Sequence, residues 1–349
     1  MLATNQDALQ CFISLCFDED MLPGLKKRAL ALLSGGLDGQ LAVCLLRDQG
    51  IDVTGLVFTC PLFDAEDALV SARELGIPVE RKDFTVFIVD LFERCGALDR
   101  TGAQLCMDCH ATMLKCAVDL LDECGCQFIC TGDVLNQKSA TQSDEAMDYI
   151  RQYIEKGDCV LRPLSAKLLP QTLPEREGWV NREQLLAVEG NQRKIQHELA
   201  SVYGIQRFAE PSRVSRLTDP SFGDRLRDLR AHEGIKGRQA LRRLRLGHHF
   251  RLGPITKLVV GRNEGENAEI EDTAELYDLI LKLDEVSGPT GLLPIHATED
   301  QIQLAAAICA HYSDVEPGGV APVRVRSTRE SQNIEVRPAR SVEMDLHRI

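Results

Sequence analysis

An apolar run, Leu30-Ala31-Leu32-Leu33, stops at Ser34-Gly35-Gly36 and gives way at once to a helix-like stretch from Leu37 to Arg47. A buried strand that ends on glycines and feeds a helix N-terminus builds an anion site. Main-chain N–H groups converge there, the helix dipole adds partial positive charge, and the missing Cβ atoms let an anion approach the backbone. A bare Gly-Gly corner is equally the mark of an ordinary strand–turn–helix junction. The rest of the chain has to decide between the two.

The surrounding pattern alternates. Asp52 to Phe58 is a second apolar strand, and Asp64 to Leu75 is amphipathic and stops at Gly76-Ile77-Pro78. An extended stretch, Val79 to Phe84, follows, and Gln127 to Thr131 is a further buried strand. Alternating β and α segments of this size predict an α/β fold with a doubly wound parallel sheet. Ligands of such sheets sit beyond the carboxyl ends of the strands, where Ser34 to Asp38 falls. Residues 1 to 26 read as a short helical extension, with Leu9, Phe12, Ile13 and Leu15 near helical spacing and Cys11 and Cys16 as small buried hydrophobes.

A chain of 349 residues with 44% hydrophobic content has room for two domains. No apolar run reaches the roughly 18–20 residues needed to span a bilayer. Asp7, Asp18, Glu19 and Asp20 precede the first lysine, unlike a signal peptide. The thirteen cysteines are irregularly spaced, which suits reduced thiols better than a disulfide scaffold. These features predict a cytoplasmic protein with no membrane partner. The net charge of −13 conceals an asymmetry: Arg207 to Arg262 carries fourteen Lys or Arg against five Asp or Glu, whereas Asn263 to Asp300 carries eleven acids and one Lys.

Two further motifs carry chemistry. Cys106-Met107-Asp108-Cys109-His110 runs into a predicted helix from Ala111 to Cys124. A CxxC there suits zinc, dithiol–disulfide cycling or part of an iron–sulfur cluster, and two structural cysteines are the plain alternative. No second CxxC or HxxxH supplies four zinc ligands. Thr131-Gly132-Asp133-Val134-Leu135-Asn136-Gln137 is another strand-to-glycine corner, placed to close over the same ligand.

Ser34-Gly35-Gly36-Leu37-Asp38 after a buried strand resembles the PP-loop of N-type ATP pyrophosphatases, with Gly39 where that family usually has Ser. With the CxxC and Thr131 to Gln142, the chain resembles the ATP-dependent tRNA thiolation enzymes of the 4-thiouridine and 2-thiouridine synthase type. Asn136 stands where Gly is usual, and Arg162-Pro163-Leu164 matches a further family motif. The helix Asn181 to Tyr203 would end this domain. The related CxxC subgroup continues into a Leu217-Thr218-Asp219-Pro220-like segment with a third cysteine before it, and here that position is Ser215. From Leu241 the chain resembles the small α/β RNA-binding module of NFACT proteins, through Val259-Val260-Gly261-Arg262-Asn263 and Gly265-Glu266-Asn267. The domain expectation is a helical extension at 1–26, a PP-loop domain at 27–205, a basic linker at 206–240 and an RNA-binding-like domain at 241–349. In the last, Asp272 to Leu283 and Gln301 to Tyr312 are predicted helices.

The resemblance implies ATP and Mg2+, a tRNA partner, and a sulfur donor that is a persulfide carrier or sulfide. Ser34, Gly35, Gly36, Leu37, Asp38 and Gly39 would cradle pyrophosphate, with Asp38 on Mg2+ or orienting the loop. Phe58, Thr131, Gly132 and Gln137 would complete the nucleotide site. Cys106 and Cys109 would carry sulfur or bind a [4Fe–4S] iron, with Cys60, Cys116 or Cys130 as a further ligand in place of Ser215. Arg242, Arg243, Arg245, His249, Arg251, Lys257 and Arg262 would track RNA phosphates, with Phe250 offering a stacking face. The expected function is ATP-dependent tRNA sulfurtransferase. The alternatives are a PP-loop adenylating enzyme acting on a small molecule, and a protein that binds nucleotide or RNA without transferring sulfur.

Overall fold

The computed structural model of the chain describes residues 27–63, 65–97, 102–209, 217, 219–316 and 318–349. The predicted helical extension at 1–26 and Ser215 lie outside the described residues. β1 (Arg28–Leu32) is the middle strand of a five-stranded parallel sheet ordered β3-β2-β1-β4-β5, with β2 at Asp52–Thr59, β3 at Val79–Asp83, β4 at Phe128–Cys130 and β5 at Val160–Leu161. The chain winds outward from β1 to β3, then returns to the other side of β1 for β4 and β5. The switch point therefore falls between β1 and β4, whose carboxyl ends lead into Ser34 and Thr131.

The helices of two turns or more are α1 (Leu37–Asp48), α2 (Glu66–Leu75), α3 (Thr85–Ala97), α4 (Gly102–Asp119), α5 (Asp144–Tyr153), α6 (Lys194–Tyr203), α7 (Pro220–His232), α8 (Gly237–Leu244), α9 (Glu264–Asp272) and α10 (Glu299–His311). One face of the parallel sheet packs Leu30, Leu56 and Ile129 against α3 and α4. The opposite face packs Ala29, Ala31 and Val57 against α1 and α2, through Val43, Leu46, Ala68 and Ala72.

Three predicted boundaries are corrected. The CxxC helix begins at Gly102, not near Ala111, because Leu105, Cys109, Thr112 and Cys116 already follow a buried helical stripe. The predicted helix from Asn181 is confined to Lys194–Tyr203; a short 3-10 turn at Arg182–Gln184 and the positive φ of Gly190 interrupt what precedes it. Asp278–Leu283 is strand β8, not helix, and the helix lies earlier, where the Asn263 side chain caps α9 by accepting from the Glu266 N–H at 3.0 Å.

α7 and the first half of α8 lie in the stretch expected as a basic linker. Phe222, Leu226, Leu229 and Ile235 pack into the first core, Phe222 edge-on to Phe92 of α3. The second sheet is antiparallel, ordered β11-β10-β8-β9-β7-β6, with β6 at His248–Gly253, β7 at Thr256–Val260, β9 at Gly291–Pro294, β10 at Ala321–Arg326 and β11 at Ser331–Val336. α10 fills one of its faces with Ile302, Ala305, Ala306 and Cys309. Among the described residues, no helix is long and apolar enough to cross a membrane.

Candidate active site

The glycine corner forms as the pattern predicts, and its shape is enforced by neighbours. Gly35 has φ +88°, and a Cβ on it would lie 2.5 Å from the Cβ of Asp67 in α2. Its carbonyl accepts from Ser71 Oγ at 3.3 Å and from the Ala209 N–H at 2.9 Å. Ser34, the first residue of the corner, is exposed. Leu37 is fully buried and anchors α1.

The second glycine corner touches the first directly. A Cβ on Gly132 would sit 2.3 Å from the Gly39 nitrogen and 2.5 Å from the Asp38 carbonyl carbon, so only glycine fits. Gly39 is different: a Cβ there would meet Leu33 at 3.6 Å and the Leu32 carbonyl at 3.9 Å, both ordinary contacts. The absence of the usual Ser is thus not imposed by packing. Asn136 is the one non-glycine with positive φ among the described residues, at 58°. Asn is among the few side chains that tolerate that conformation, which accounts for its standing where Gly is usual. Its amide also donates to Glu189 at 2.8 Å.

Side chains complete the junction. Gln137 Nε2 donates to Asp38 Oδ2 at 2.6 Å, and Gln137 Oε1 accepts from Gln196 Nε2 of α6 at 3.1 Å. Asp38 Oδ1 is buried without a hydrogen-bond partner, with an Arg193 guanidinium nitrogen 3.6 Å away. A buried carboxylate oxygen left without a donor suits a cation or a bound water, so Asp38 fits the Mg2+ role that the resemblance implies.

Asp133 is 7% exposed and gathers four partners. Thr131 Oγ1 donates to Oδ2 at 3.0 Å, Gln142 Nε2 to Oδ1 at 3.1 Å, His110 Nε2 lies 3.0 Å from Oδ2, and Arg162 Nε lies 3.7 Å from it. Burial pushes the Asp133 pKa up. The His110 and Arg162 charges, with hydrogen bonds from His110 and Gln142, outweigh it and hold the carboxyl well below its usual range. Burial lowers the Arg162 pKa, partly offset by Asp133. Sequence reading assigned no role to His110, although its place directly after the CxxC was the available signal.

Cys106, Cys109 and His110 fall at i, i+3 and i+4 of α4, on one face. Cys106 is half-buried and Cys109 is buried in the first core. Both lie beyond the first turn of α4, where the dipole effect has largely decayed. Among the described residues no three metal-ligating side chains gather, so Cys60, Cys116 and Cys130 do not complete a site with this pair. Burial pushes the thiols of Cys60 and Cys116 up to about 11, and raises that of Cys130 as well. Phe58 is also placed differently from expectation: its ring is buried 5.1 Å from that of Phe84, inside the core.

The basic residues from Arg242 to Arg262 are engaged within the chain. Arg242 meets Asp272 at 2.8 Å, Arg243 meets Asp278 at 2.6 Å, and Arg245 pairs with Glu269. Arg251 and Lys257 both meet Asp228 of α7, at 2.6 and 3.0 Å, and Arg262 pairs with Glu266. His249 is 2% and Phe250 0% exposed, so the expected stacking face is internal. Burial, with an opposing contribution from Asp228, lowers the Lys257 pKa.

Residues 24–167 match the family model of the thiamine biosynthesis protein ThiI, and residues 247–348 match that of the NFACT protein RNA binding domain. The chain joins a domain similar to that of ThiI to one similar to the NFACT protein RNA binding domain. It is 27% identical over 123 residues to a probable tRNA sulfurtransferase of Lachnospira eligens, covering 33% of this chain and 30% of that one. It is 39% identical over 72 residues to the tRNA-specific 2-thiouridylase MnmA of Flavobacterium johnsoniae, covering 17% and 18%. The chain thus spans less than a third of the length of these curated relatives. A 4-thiouridine synthetase solved with RNA and bound ATP overlaps 57% of this chain and 49% of its own at 19% identity and a TM-score of 0.34, too loose an overlap to carry argument.

Proposed function

We propose that the chain is an ATP-dependent tRNA sulfurtransferase. The observation that carries this reading is the convergence of three motifs: Asp38 of the glycine corner bonds to Gln137, and Asp133 of the same Thr131 to Gln137 segment bonds to His110 beside the CxxC. A nucleotide-holding corner and a thiol-bearing helix are thereby fixed to one loop. The domain matches and the sulfurtransferase relatives support the same reading.

In this proposal the carbonyl oxygen of a uridine attacks the α-phosphorus of ATP, and pyrophosphate leaves. Main-chain N–H groups of Gly35, Gly36 and Gly39 and the Ser34 hydroxyl stabilise the departing charge. Leu37 seats the start of α1, while Thr131 and Gly132 hold the facing loop against it. Mg2+, when bound, would be held by Asp38 and would neutralise phosphate charge. A sulfur nucleophile then attacks the activated carbon, and AMP leaves with the original oxygen. Cys106, the more accessible thiol, would carry the sulfur as a persulfide, whose terminal sulfur attacks the carbon. The Cys109 thiolate then breaks the S–S bond to free the thiolated base, and an external thiol reductant returns the Cys106–Cys109 disulfide to the dithiol. A persulfide carrier would load Cys106 by passing on its outer sulfur, or sulfide would attack the activated carbon directly with no cysteine oxidised; the site would work in the cytoplasm. The proposed domain limits are 27–205 and 241–349, and the stretch 206–240 between them is a packed connection, since α7 belongs to the first core.

The test is mass spectrometry of tRNA nucleosides from cells with and without the gene. Loss of one thiolated nucleoside is expected. An unchanged thionucleoside profile, together with intact pyrophosphate release from ATP by the purified protein, would favour an adenylating reaction on another substrate.

A further inference from the structure

The two faces of the second sheet are covered unequally. Residues directly opposed on antiparallel strands point to the same side, and alternate residues point to opposite sides. Val323 opposes Leu283 and Val325 opposes Leu281, and all four belong to the core under α10. Arg324 and Arg326, which oppose Lys282 and Ile280, therefore face the other side.

That other side is covered strand by strand from one edge. Over β6 and β7, Arg251 and Lys257 are held by Asp228 of α7. Over β7, β9 and β8, Val259, Leu292 and Ile280 pack on Ile270 of α9. The cover ends there among the described residues. On β10 and β11, Arg324, Arg326 and their cross-strand neighbours Asn333 and Ser331 are exposed.

Lys282 stands directly across from Arg324, an opposition of like charges that disfavours the strand pairing. Asp284, 2.7 Å from Arg324, and Glu271, 2.5 Å from Lys282 and 3.9 Å from Arg326, are the two carboxylates that pair with these three cations; Glu335, exposed on the same face across from Pro322, is a further acid at the far end of β11. The three side chains are 43%, 51% and 54% exposed, so these pairs exchange readily with another anion. The cations at Arg251 and Lys257 are 14% and 10% exposed, and a phosphate could reach them only by displacing Asp228.

We propose that the open face formed by Lys282, Arg324 and Arg326 holds the phosphate backbone of RNA. This rests on the reading of the partner as RNA and moves its contact surface from the Arg242 to Arg262 stretch to the opposite edge of the same sheet face. Arg324 and Arg326 lie about 7 Å apart along the strand, a step comparable with that between successive phosphates. Ser331 and Asn333 opposite them add neutral donors of the kind that position a nucleic-acid backbone without reading its sequence.

The experiment measures binding of bulk tRNA to the whole chain across a range of salt concentrations, for the native protein and for Arg324→Gln/Arg326→Gln. The native affinity should fall steeply with salt. The double variant should bind more weakly to all tRNA species alike, with the log–log salt slope reduced by about two. Arg324→Lys/Arg326→Lys, which keeps both charges, should restore most of the slope. A native slope in the glutamine variant overturns this surface and leaves the RNA reading standing. A native protein that binds no tRNA even at low salt overturns the RNA reading, and this surface with it. A lysine variant as weak as the glutamine variant, or a shifted urea midpoint in either, identifies a structural role and also overturns the proposal.

Discussion

His110 Nε2 and Asp133 Oδ2 stand 3.0 Å apart, and this contact ties the CxxC helix to the loop that closes on the glycine corner. The pairing is buried on the Asp133 side, where Arg162, itself buried, lies 3.7 Å from Asp133. Charge on Asp133 is therefore part of the architecture as much as of any chemistry. It offsets Arg162, orients His110 and fixes Thr131 and Gln142 in one arrangement.

Replacing Asp133 with Asn removes that charge and leaves the Arg162 guanidinium buried without its counterion. Breaking a buried pair in this way costs about 3–5 kcal/mol. The Asp133→Asn protein should show that loss as a lower urea midpoint at pH 7. An unchanged midpoint would mean that Arg162 reaches water or another acceptor in solution.

The two glycines that meet at the corner should respond oppositely to a side chain. Gly132→Ala places a Cβ against the Asp38–Gly39 backbone, at distances real Cβ atoms do not show, so it should displace the loops and abolish pyrophosphate release. Gly39→Ser meets only ordinary van der Waals contacts within α1 and replaces a poor helix former, for a gain of about 0.5 kcal/mol. It also sets a hydroxyl at the anion site, and pyrophosphate release should rise or hold. A Gly39→Ser protein that folds but releases no pyrophosphate would show that the loop needs glycine there for a reason packing does not reveal.

The cysteine pair should separate by stability as well as by chemistry. Cys106→Ser, at a half-buried position, should lose thiolation while keeping its fold and its ATP-dependent pyrophosphate release. Cys109→Ser puts a hydroxyl into the first core and should cost about 1–3 kcal/mol in addition. The check is thionucleoside yield beside pyrophosphate yield and urea midpoint. Full thiolation by the Cys106→Ser protein would remove Cys106 from the sulfur path.

Local pattern made much of this legible in the sequence. Leu30 to Leu33 followed by Ser-Gly-Gly could form little but a buried strand entering a helix, and the alternation after it fixed the parallel sheet. What the sequence concealed was long-range pairing. The count of Lys and Arg between Arg207 and Arg262 suggested an RNA-facing surface, but the acids that neutralise them are remote in sequence: Glu269, Asp272 and Asp278 follow, and Asp228 sits on α7. The Asp278 to Leu283 segment was misread as a helix because its alternation, Leu279 and Leu281 inward, is short and rich in leucine. His110 escaped notice because its partner Asp133 is distant in the chain.

The buried His249 gives the second domain a pH dependence of definite sign. Its Nε2 donates to the carbonyls of Leu246 at 2.8 Å and Arg243 at 3.1 Å, while Nδ1 is buried with no hydrogen-bond partner. A second proton would go to Nδ1, where no acceptor waits. Burial, together with the charges of Lys257 and Arg225, holds the His249 pKa well below its ordinary 6.5. Burial, aided by Arg348, Arg262 and Arg225, shifts His248 in the same direction. For a histidine lowered on folding, the unfolded chain binds the proton first. The full stability is present above about pH 6.5 and is lost progressively as pH falls towards the folded value. Each such histidine contributes a slope of up to about 1.4 kcal/mol per pH unit in that window. Urea midpoints between pH 7.5 and 5.5 should therefore fall for the native chain. His249→Gln, whose amide N–H can still reach the two carbonyls, should show a slope smaller by about one proton. An equal slope in the two proteins would place the acid sensitivity elsewhere in the chain.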